Sequence, residues 1–383
     1  MLPFSYAARN LFRSKVRLLQ TIGGSALVVL LVMAAAAIND GMNRVLSASG
    51  SDRNVILVGA GSEESIQRSE IEESSAGIAE AAISGISEQL DTRAVSSQIH
   101  YMNHVELGNG MRSQALLRGV TSEALRVHPE VRVVDGSFPT SGQVMAGRLA
   151  WRKLGVPEDS LKPGQSIMLD GQKLLISGTF AAPGTVMESE LWATLGDIRV
   201  LAKRETLSCV ILRLDDPADF PDVELFTKQR LDLELSALRE SDYYDRLTAF
   251  FRPLRMMTWL TVGLIATGAI FGGINTLYAA FASRVRELAA LQAIGFSRGT
   301  LLFSLIQECM LACLAGALVA SVLALILLEG KTVPFSIGAF ILEISPQTAL
   351  LGITTGLLLG LIGAIPPAIR CLKPTLASAL RAY

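Results

Sequence analysis

Hydrophobic and polar positions along this chain fall into blocks rather than an even mixture. No charged residue lies between Arg17 and Asp40, Arg255 and Arg284, Glu308 and Glu329, or Glu343 and Arg370, and each interval is rich in Leu, Ile, Val, Ala and Gly. A helix needs about 20 mostly apolar residues to cross roughly 30 Å of bilayer hydrocarbon. The pattern therefore predicts four transmembrane helices. The first interval has a rival reading as a secretory signal, with Arg9, Arg13, Lys15 and Arg17 as its basic start and the alanines at 35–37 as a cleavage site. Its apolar run, 18–38, is longer than the about 7–15 residues of a signal core, and we read it as an uncleaved anchor.

The blocks divide the chain into an N-terminal amphipathic helix (1–17), span one (18–39), an extracytoplasmic domain with its stalk (40–254) and span two (255–283). A cytoplasmic segment (284–298), span three (299–328), an outer loop (329–343), span four (344–369) and a cytoplasmic tail (370–383) follow. The fold class is thus an α-helical multi-span membrane protein with a large α+β extracytoplasmic domain inserted between spans one and two. Within that domain Val55 to Val58 is a β-branched strand, and Asn109-Gly110 and Asp170-Gly171 mark hairpins, because such pairs accept the positive φ of a tight turn. Residues 148–154 predict a short helix stopped by Gly155. Leu231, Leu233 and Leu235 alternate with acids, the period of a half-buried strand. Residues 240–254 turn helical and lead into span two, whereas 59–87, rich in Ser, Glu and Gly, is expected to be partly mobile.

Composition agrees with the blocks. Of 383 residues 50% are hydrophobic and 18% charged, against about 25% charged in ordinary soluble chains; mean hydropathy is +0.42. The formal net charge is −1, from 34 Lys and Arg against 35 Asp and Glu. That balance lacks the basic field of a nucleic-acid binder. Of the 4 cysteines only Cys209 lies in the large polar segment, so no disulfide framework is expected. Cations gather at the N-terminus, at Arg284, Arg286 and Arg298, and at Arg370, Lys373 and Arg381, which places these segments and both termini in the cytoplasm.

Gly330-Lys331-Thr332 resembles the end of a phosphate-binding loop, but Leu325 stands where the motif needs its first glycine, so no nucleotide site is expected in this chain. His100 and His104, with Glu106 nearby, share a face on a helix or a strand. Two ligands rarely make a metal site, and we read them as surface or packing residues. Cys309 and Cys313 read as buried small residues. Gly352, Gly356 and Gly360 recur every fourth position in span four, and Gly268 and Gly272 do so in span two. That spacing lets helix backbones approach closely, within the chain or across a dimer. Glu308, an acid inside an apolar run, is expected to pair with Arg284 or Arg298 rather than relay protons. Arg9, Arg13 and Arg17, with Lys15, suit a helix at the inner membrane surface and equally suit charges that only set topology.

The stretch 275–308, NTLYAAFASRVRELAALQAIGFSRGTLLFSLIQE, resembles the FtsX-like/MacB-type permeases of ATP-binding-cassette systems. Their second span ends in R-x-R-E-[IL]-x-x-L-[RK]-A-[IL]-G, here Arg284, Arg286, Glu287, Leu288, Leu291, Gln292, Ala293, Ile294 and Gly295, with Gln292 departing from the usual cation. The ending from Pro366-Pro367-Ala368 through Pro374 to Ala379-Leu380-Arg381 looks like the family's C-terminus, and Ala8-Arg9-Asn10-Leu11 with Lys15 its N-terminus. Val134-Asp135-Gly136 and Gly147-Arg148 are similar to its periplasmic core domain. The resemblance implies the layout derived above. It further implies a dimer with a second copy or a paralogue, bound to separate ATPase subunits that hold the ATP and magnesium, with no cofactor in this chain. It makes 284–298 the segment that docks on the ATPase, with Arg284, Arg286 and Glu287 on one side and Leu288, Leu291 and Ile294 on another.

The resulting expectation is a non-enzymatic permease subunit in a bacterial cytoplasmic (inner) membrane, coupling ATP hydrolysis to motion of its outer domain. The family's outputs are efflux with a periplasmic adaptor, export of lipoprotein or lipid, and regulation of a partner such as a cell-wall hydrolase. An ATPase-independent sensor or assembly platform is a separate class. A membrane-embedded enzyme finds no support, since the chain has no HExxH, no GxSxG and no paired acids in its apolar runs.

Overall fold

The computed structural model describes residues 9–11, 13–89, 91–108 and 110–374, apart from the side chain of Arg17. Expectations that fall on Ala8, Asn109 and the ending after Pro374 lie outside the described residues. Among the described residues, four helices are long and apolar enough to cross a membrane: Leu18–Ser49, Glu240–Ala282, Arg298–Leu327 and Pro346–Cys371. The chain forms two compact units. One holds the described residues up to Asp40, Pro253–Lys331 and those from Leu342 onward; the other holds Gly41–Arg252 and Thr332–Ile341.

The helices carry the labels α1 (Lys15–Ser49), α2 (Glu240–Phe250), α3 (Arg252–Ala282), α4 (Val285–Ala293), α5 (Arg298–Leu327) and α6 (Pro346–Cys371). Between α2 and α3 the ladder is interrupted at Phe251, and Pro253 just beyond has no N–H to contribute. Ser297 and Ser345 cap α5 and α6, accepting from the Thr300 and Thr348 amides at 3.2 and 3.1 Å. In the first unit α1, α5 and α6 pack tightly. Met33 and Val29 of α1 lie against Gly352, and Ala317 and the Cys313 carbonyl against Gly356. Helix α3 differs: only Leu277 and Phe281 are buried along it, while Met256, Met257, Leu260, Leu264 and Phe271 are exposed.

The second unit is built on a sheet with strands β1 (Asn54–Gly59), β2 (Val95–Leu107), β3 (Arg112–Val120), β4 (Arg132–Gly136), β5 (Gln143–Gly147), β6 (Ser166–Leu169), β7 (Gln172–Ala181), β8 (Leu191–Thr194), β9 (Cys209–Arg213) and β10 (Leu235–Arg239). Their order is β10-β1-β9-β2-β3-β8-β5-β7-β4, and β6 pairs with both β2 and β7. That closes a ring through β2, β3, β8, β5, β7 and β6. Strand β2 serves both halves of the sheet: its start pairs with β9 and its end with β6. The hairpin at Asp170-Gly171 forms as expected, with φ of 48° and 81°. Helix Ala150–Leu154 ends at Gly155, whose φ is 72°.

A buried polar network fixes the middle of this sheet. Arg118 grips Glu190 with both ends of its guanidinium, at 2.7 and 2.6 Å, and donates to Gln98 Oε1 at 3.0 Å. Trp192 Nε1 donates to the same carboxylate at 2.9 Å. His100 shares Gln98 Oε1 at 3.2 Å, and burial, aided by the nearby charge of Arg118, holds it well below the usual histidine range. His104 is exposed on the same strand.

One expectation fails, and two segments carry more structure than their composition suggests. Leu231–Leu233 is a 3-10 turn, and the strand starts only at Leu235 after Glu234 takes a φ of 48°; a short turn leaving a helix can mimic alternation. Residues 59–87 are built into the core through Ile66, Ile71, Ala79, Ile83 and Ile86, despite their polar composition. The outer loop is no simple connection, because β11 (Thr332–Pro334) and β12 (Ala339–Ile341) pair as a hairpin that belongs to the second unit. Its Phe340 is buried against Gly41, and Ala339 N donates to Ser189 Oγ at 2.9 Å.

Candidate functional site

The segment around α4 is assembled by charge and packing together. Arg284 precedes the helix with a φ of −111°, outside helical geometry, and Glu287 lies in the first turn, where an acid opposes the helix dipole. Arg284 Nη1 donates to Glu308 Oε2 of α5 at 2.9 Å, with both side chains nearly buried. The same guanidinium stands 3.5 Å from Glu287 Oε2, which accepts from Arg13 Nη1 at 2.9 Å. An alternating chain Arg13–Glu287–Arg284–Glu308 therefore links the N-terminal stretch, α4 and α5. Of the two cations considered for Glu308 the structure brings Arg284 to it.

The far end of α4 closes by backbone geometry. Phe296 N reaches back to Leu291 O at 3.2 Å and Gly295 N to Gln292 O at 3.0 Å, with Gly295 at a φ of 108°. These paired bonds form the Schellman arrangement, which needs a residue of left-handed φ and usually takes glycine.

The apolar side of α4 departs from expectation. Leu288 is 3% exposed and packs with Leu277, Phe281, Leu301, Leu305 and Ala368, while Leu291 lies partly buried against the same group. Leu288 is withdrawn from any groove on another protein, and both residues hold the helix to its own chain. The outward face carries Arg286, Ala290, Ala293 and Ile294, the last 76% exposed. Ala290 and Ala293 were missed by the sequence reading, although their 3.6-residue periodicity with Arg286 signals one face. The Arg13–Glu287 link was missed as well. Its signal is that Glu287 is the only acid within 284–298 and cations crowd the N-terminal stretch.

The remaining candidates separate. A Cβ on Gly356 would lie 2.7 Å from Ala317 Cβ, and one on Gly360 2.9 Å from Met310 Cα, so these glycines serve packing inside the chain. A Cβ on Gly268 or Gly272 would meet no described atom within 4 Å beyond its own helix backbone. Gly272 lines a cavity of about 270 Å³ with Gly24, Ser25 and Thr276. Arg9 and Lys15 are exposed. Cys309 and Cys313 are buried. Among the described residues no group of His, Cys, Asp and Glu has the makings of a metal site.

Comparison with known proteins bears on this arrangement. The model of the MacB-like periplasmic core domain matches residues 18–225, and that of the FtsX-like permease C-terminal region matches 259–376. Among solved structures, the periplasmic region of MacB from Actinobacillus actinomycetemcomitans is 12% identical, covering 52% of this chain and 94% of that one, with a TM-score of 0.39. The extracellular domain of the noncanonic ABC-type transporter YknZ from Gram-positive bacteria is 11% identical over 49% of this chain and 100% of that one, with a TM-score of 0.37. A domain of a permease protein from Porphyromonas gingivalis is 13% identical over 49% and 87%, with a TM-score of 0.32. No curated protein matches the chain. The core-domain match spans more than half of the sequence, and the chain belongs to the MacB-like/FtsX-like family of ABC transporter permeases.

Proposed function

We propose that this permease couples ATP hydrolysis by a separate ABC ATPase to motion of its extracytoplasmic domain, for efflux or for lipoprotein or lipid export. Both termini and α4 face the cytoplasm of a bacterial inner membrane, and two permease copies, or one copy and a paralogue, share the ATPase pair. The observation that carries this reading is the construction of α4. Leu288 and the Arg284–Glu308 pair fasten one side, and Arg286, Ala290 and Ile294 stay outward. A helix fixed to its own chain passes on the displacement of whatever grips its other face. No catalytic role belongs to the chain itself.

A second output fits the same coupling. The hairpin between α5 and α6 is built into the outer domain, which favours mechanical regulation of an extracytoplasmic partner such as a wall hydrolase. The experiment is gentle detergent extraction of the tagged chain from its native membrane, followed by mass spectrometry of what stays bound. An ABC ATPase at comparable stoichiometry is expected, reduced tenfold or more by Ile294→Glu, since a charge in an apolar contact costs at least about 1.4 kcal/mol. Recovery without any ATPase, even after crosslinking, would overturn the coupling reading and leave a stand-alone sensor or platform. A co-eluting adaptor, lipoprotein or hydrolase selects among the outputs.

A further inference from the structure

An open cleft of about 520 Å³ in the outer domain is lined by Arg53, Arg126 and Arg213, with Ser87, Gln89 and Ser122 beside them, and no acid among its lining residues. The backbone brings these groups together. Leu214 N donates to Arg53 O and Ser87 N to Arg213 O, each at 2.7 Å, which sets the starts and ends of three chain segments side by side. The short helix Ala124–Val127 delivers Arg126 opposite them. Arg213 donates to Asn54 Oδ1 at 3.0 Å and to Val127 O at 3.3 Å, so its guanidinium is held in place.

Two features mark the cleft as incomplete. Arg126 Nη1 is buried and finds no hydrogen-bond partner. A guanidinium nitrogen withdrawn from water without an acceptor is costly, whereas a surface arginine pays nothing of the kind. Arg213 is shifted below the usual arginine range, first by burial and then by the charge of Arg53, while Glu130 and Glu240 act weakly against this. The acids nearby do not line the cleft, although Asp215 lies beside Arg53 and Glu123 feels the charge of Arg126. Glu123 accepts from Ser122 Oγ at 3.0 Å, Glu130 lies 3.4 Å from His128 Nδ1, and Asp215, largely exposed, stands 3.9 Å from Arg53. If the arginines served only to bond backbone carbonyls, Arg126 would be expected to have one.

We propose that this cleft binds a phosphate-type oxyanion, either free phosphate or the phosphate group of an envelope molecule. Arginine is the side chain suited to the task, because its planar fork donates two parallel hydrogen bonds to a tetrahedral oxyanion. The anion would lie among Arg53, Arg126 and Arg213 and offset their like charges. The hydroxyl of Ser87 favours phosphate over chloride, because it adds a directed donor that a spherical ion cannot use as fully. This site is independent of the ATPase reading and stands or falls on its own test.

The test uses the purified full chain in detergent, titrated with inorganic phosphate at constant ionic strength and followed by phosphorus NMR line width. Saturable binding is expected, weakened about tenfold by Arg126→Gln through loss of one charge-assisted donor. Arg112→Gln, on the exposed β3 position away from the cleft, is expected to leave it unchanged. Thermal unfolding checks that each variant is folded; Arg53→Gln takes the place of Arg126→Gln if that variant is not. Non-saturating broadening, or equal binding by wild type and a folded cleft variant, overturns the proposal. Nanodiscs of phosphatidylcholine with and without phosphatidate assign the source. Loss of free-phosphate binding in the phosphatidate discs identifies a lipid headgroup as occupant, and unchanged binding identifies a soluble phosphate; both uphold the site.

Discussion

Arg118 and Glu190 place opposite charges where water cannot reach them, with side chains 3% and 1% exposed. Removing two charges from water costs several kcal/mol each, and only good geometry repays it. Here the geometry is two-pronged, and Gln98 and Trp192 occupy the remaining donor and acceptor positions. His100 cannot take over as counter-charge for Glu190, because burial holds it neutral well below its ordinary range. Glu190→Ala leaves a buried guanidinium uncompensated, and a destabilisation of about 3–5 kcal/mol is expected. Arg118→Leu with Glu190→Leu is expected to recover a large part of that loss, since neither charge then remains. Urea unfolding of the full chain, followed by circular dichroism, distinguishes these outcomes; a single-variant loss below about 1 kcal/mol would show the pair to be dispensable. None of this was legible in the sequence. Arg118, Glu190 and His100 read as three unrelated polar residues until β2, β3 and β8 set them side by side.

Glycine spacing carries different weight in two helices of the same apolar character. In α6, Gly352, Gly356 and Gly360 lie against Met33, Ala317 and Met310, so a side chain must displace the Met33 side chain at 352 and a Cβ or backbone atom at 356 and 360. In α3, Gly268 and Gly272 face open space, and the helix buries only Leu277 and Phe281. Gly356→Leu is therefore expected to disrupt the α5–α6 contact and to cost about 1–3 kcal/mol or more as overpacking. Gly272→Leu is expected to leave the fold of the isolated chain intact while weakening association of two permease copies, if α3 is where they meet. Thermal unfolding beside native mass spectrometry in mild detergent separates the two effects; equal loss of fold in both variants would sink the distinction. The spacing was readable from sequence, and so were the four apolar stretches, because charge-free length is a strong local signal. The partner of each glycine was not, because the pattern is the same whether the neighbour is α1, α5 or a second molecule. Leu288 and Leu291 show the same limit: their periodicity revealed an apolar face but not that it turns inward.

At the scale of the whole molecule the chain passes between its two units at 40/41, 252/253, 331/332 and 341/342. The last two crossings bracket the hairpin of β11 and β12, which sequence reading treated as a plain outer loop. Its composition gave little warning, since a short segment with Gly, Pro and Ser reads as a turn whether or not it is docked. What docks it is tertiary. Phe340 is 2% exposed, packed against Gly41 and Phe335, and Lys153 donates to the Phe335 and Ser336 carbonyls. A buried aromatic of this kind is worth about 3–5 kcal/mol on truncation. Phe340→Ala is accordingly expected to lower the stability of the outer domain although the residue lies far along the chain from that domain's main segment, and to raise trypsin cleavage at Lys331. Coupled motion depends on this docking if α5 and α6 drive the outer domain through the hairpin. Phe340→Ala is then expected to preserve ATPase co-purification while lowering transport or partner activation several-fold, because binding at α4 and transmission through β11 and β12 are separate steps. Loss of co-purification together with activity would instead mean that the hairpin supports the fold as a whole and transmits nothing by itself.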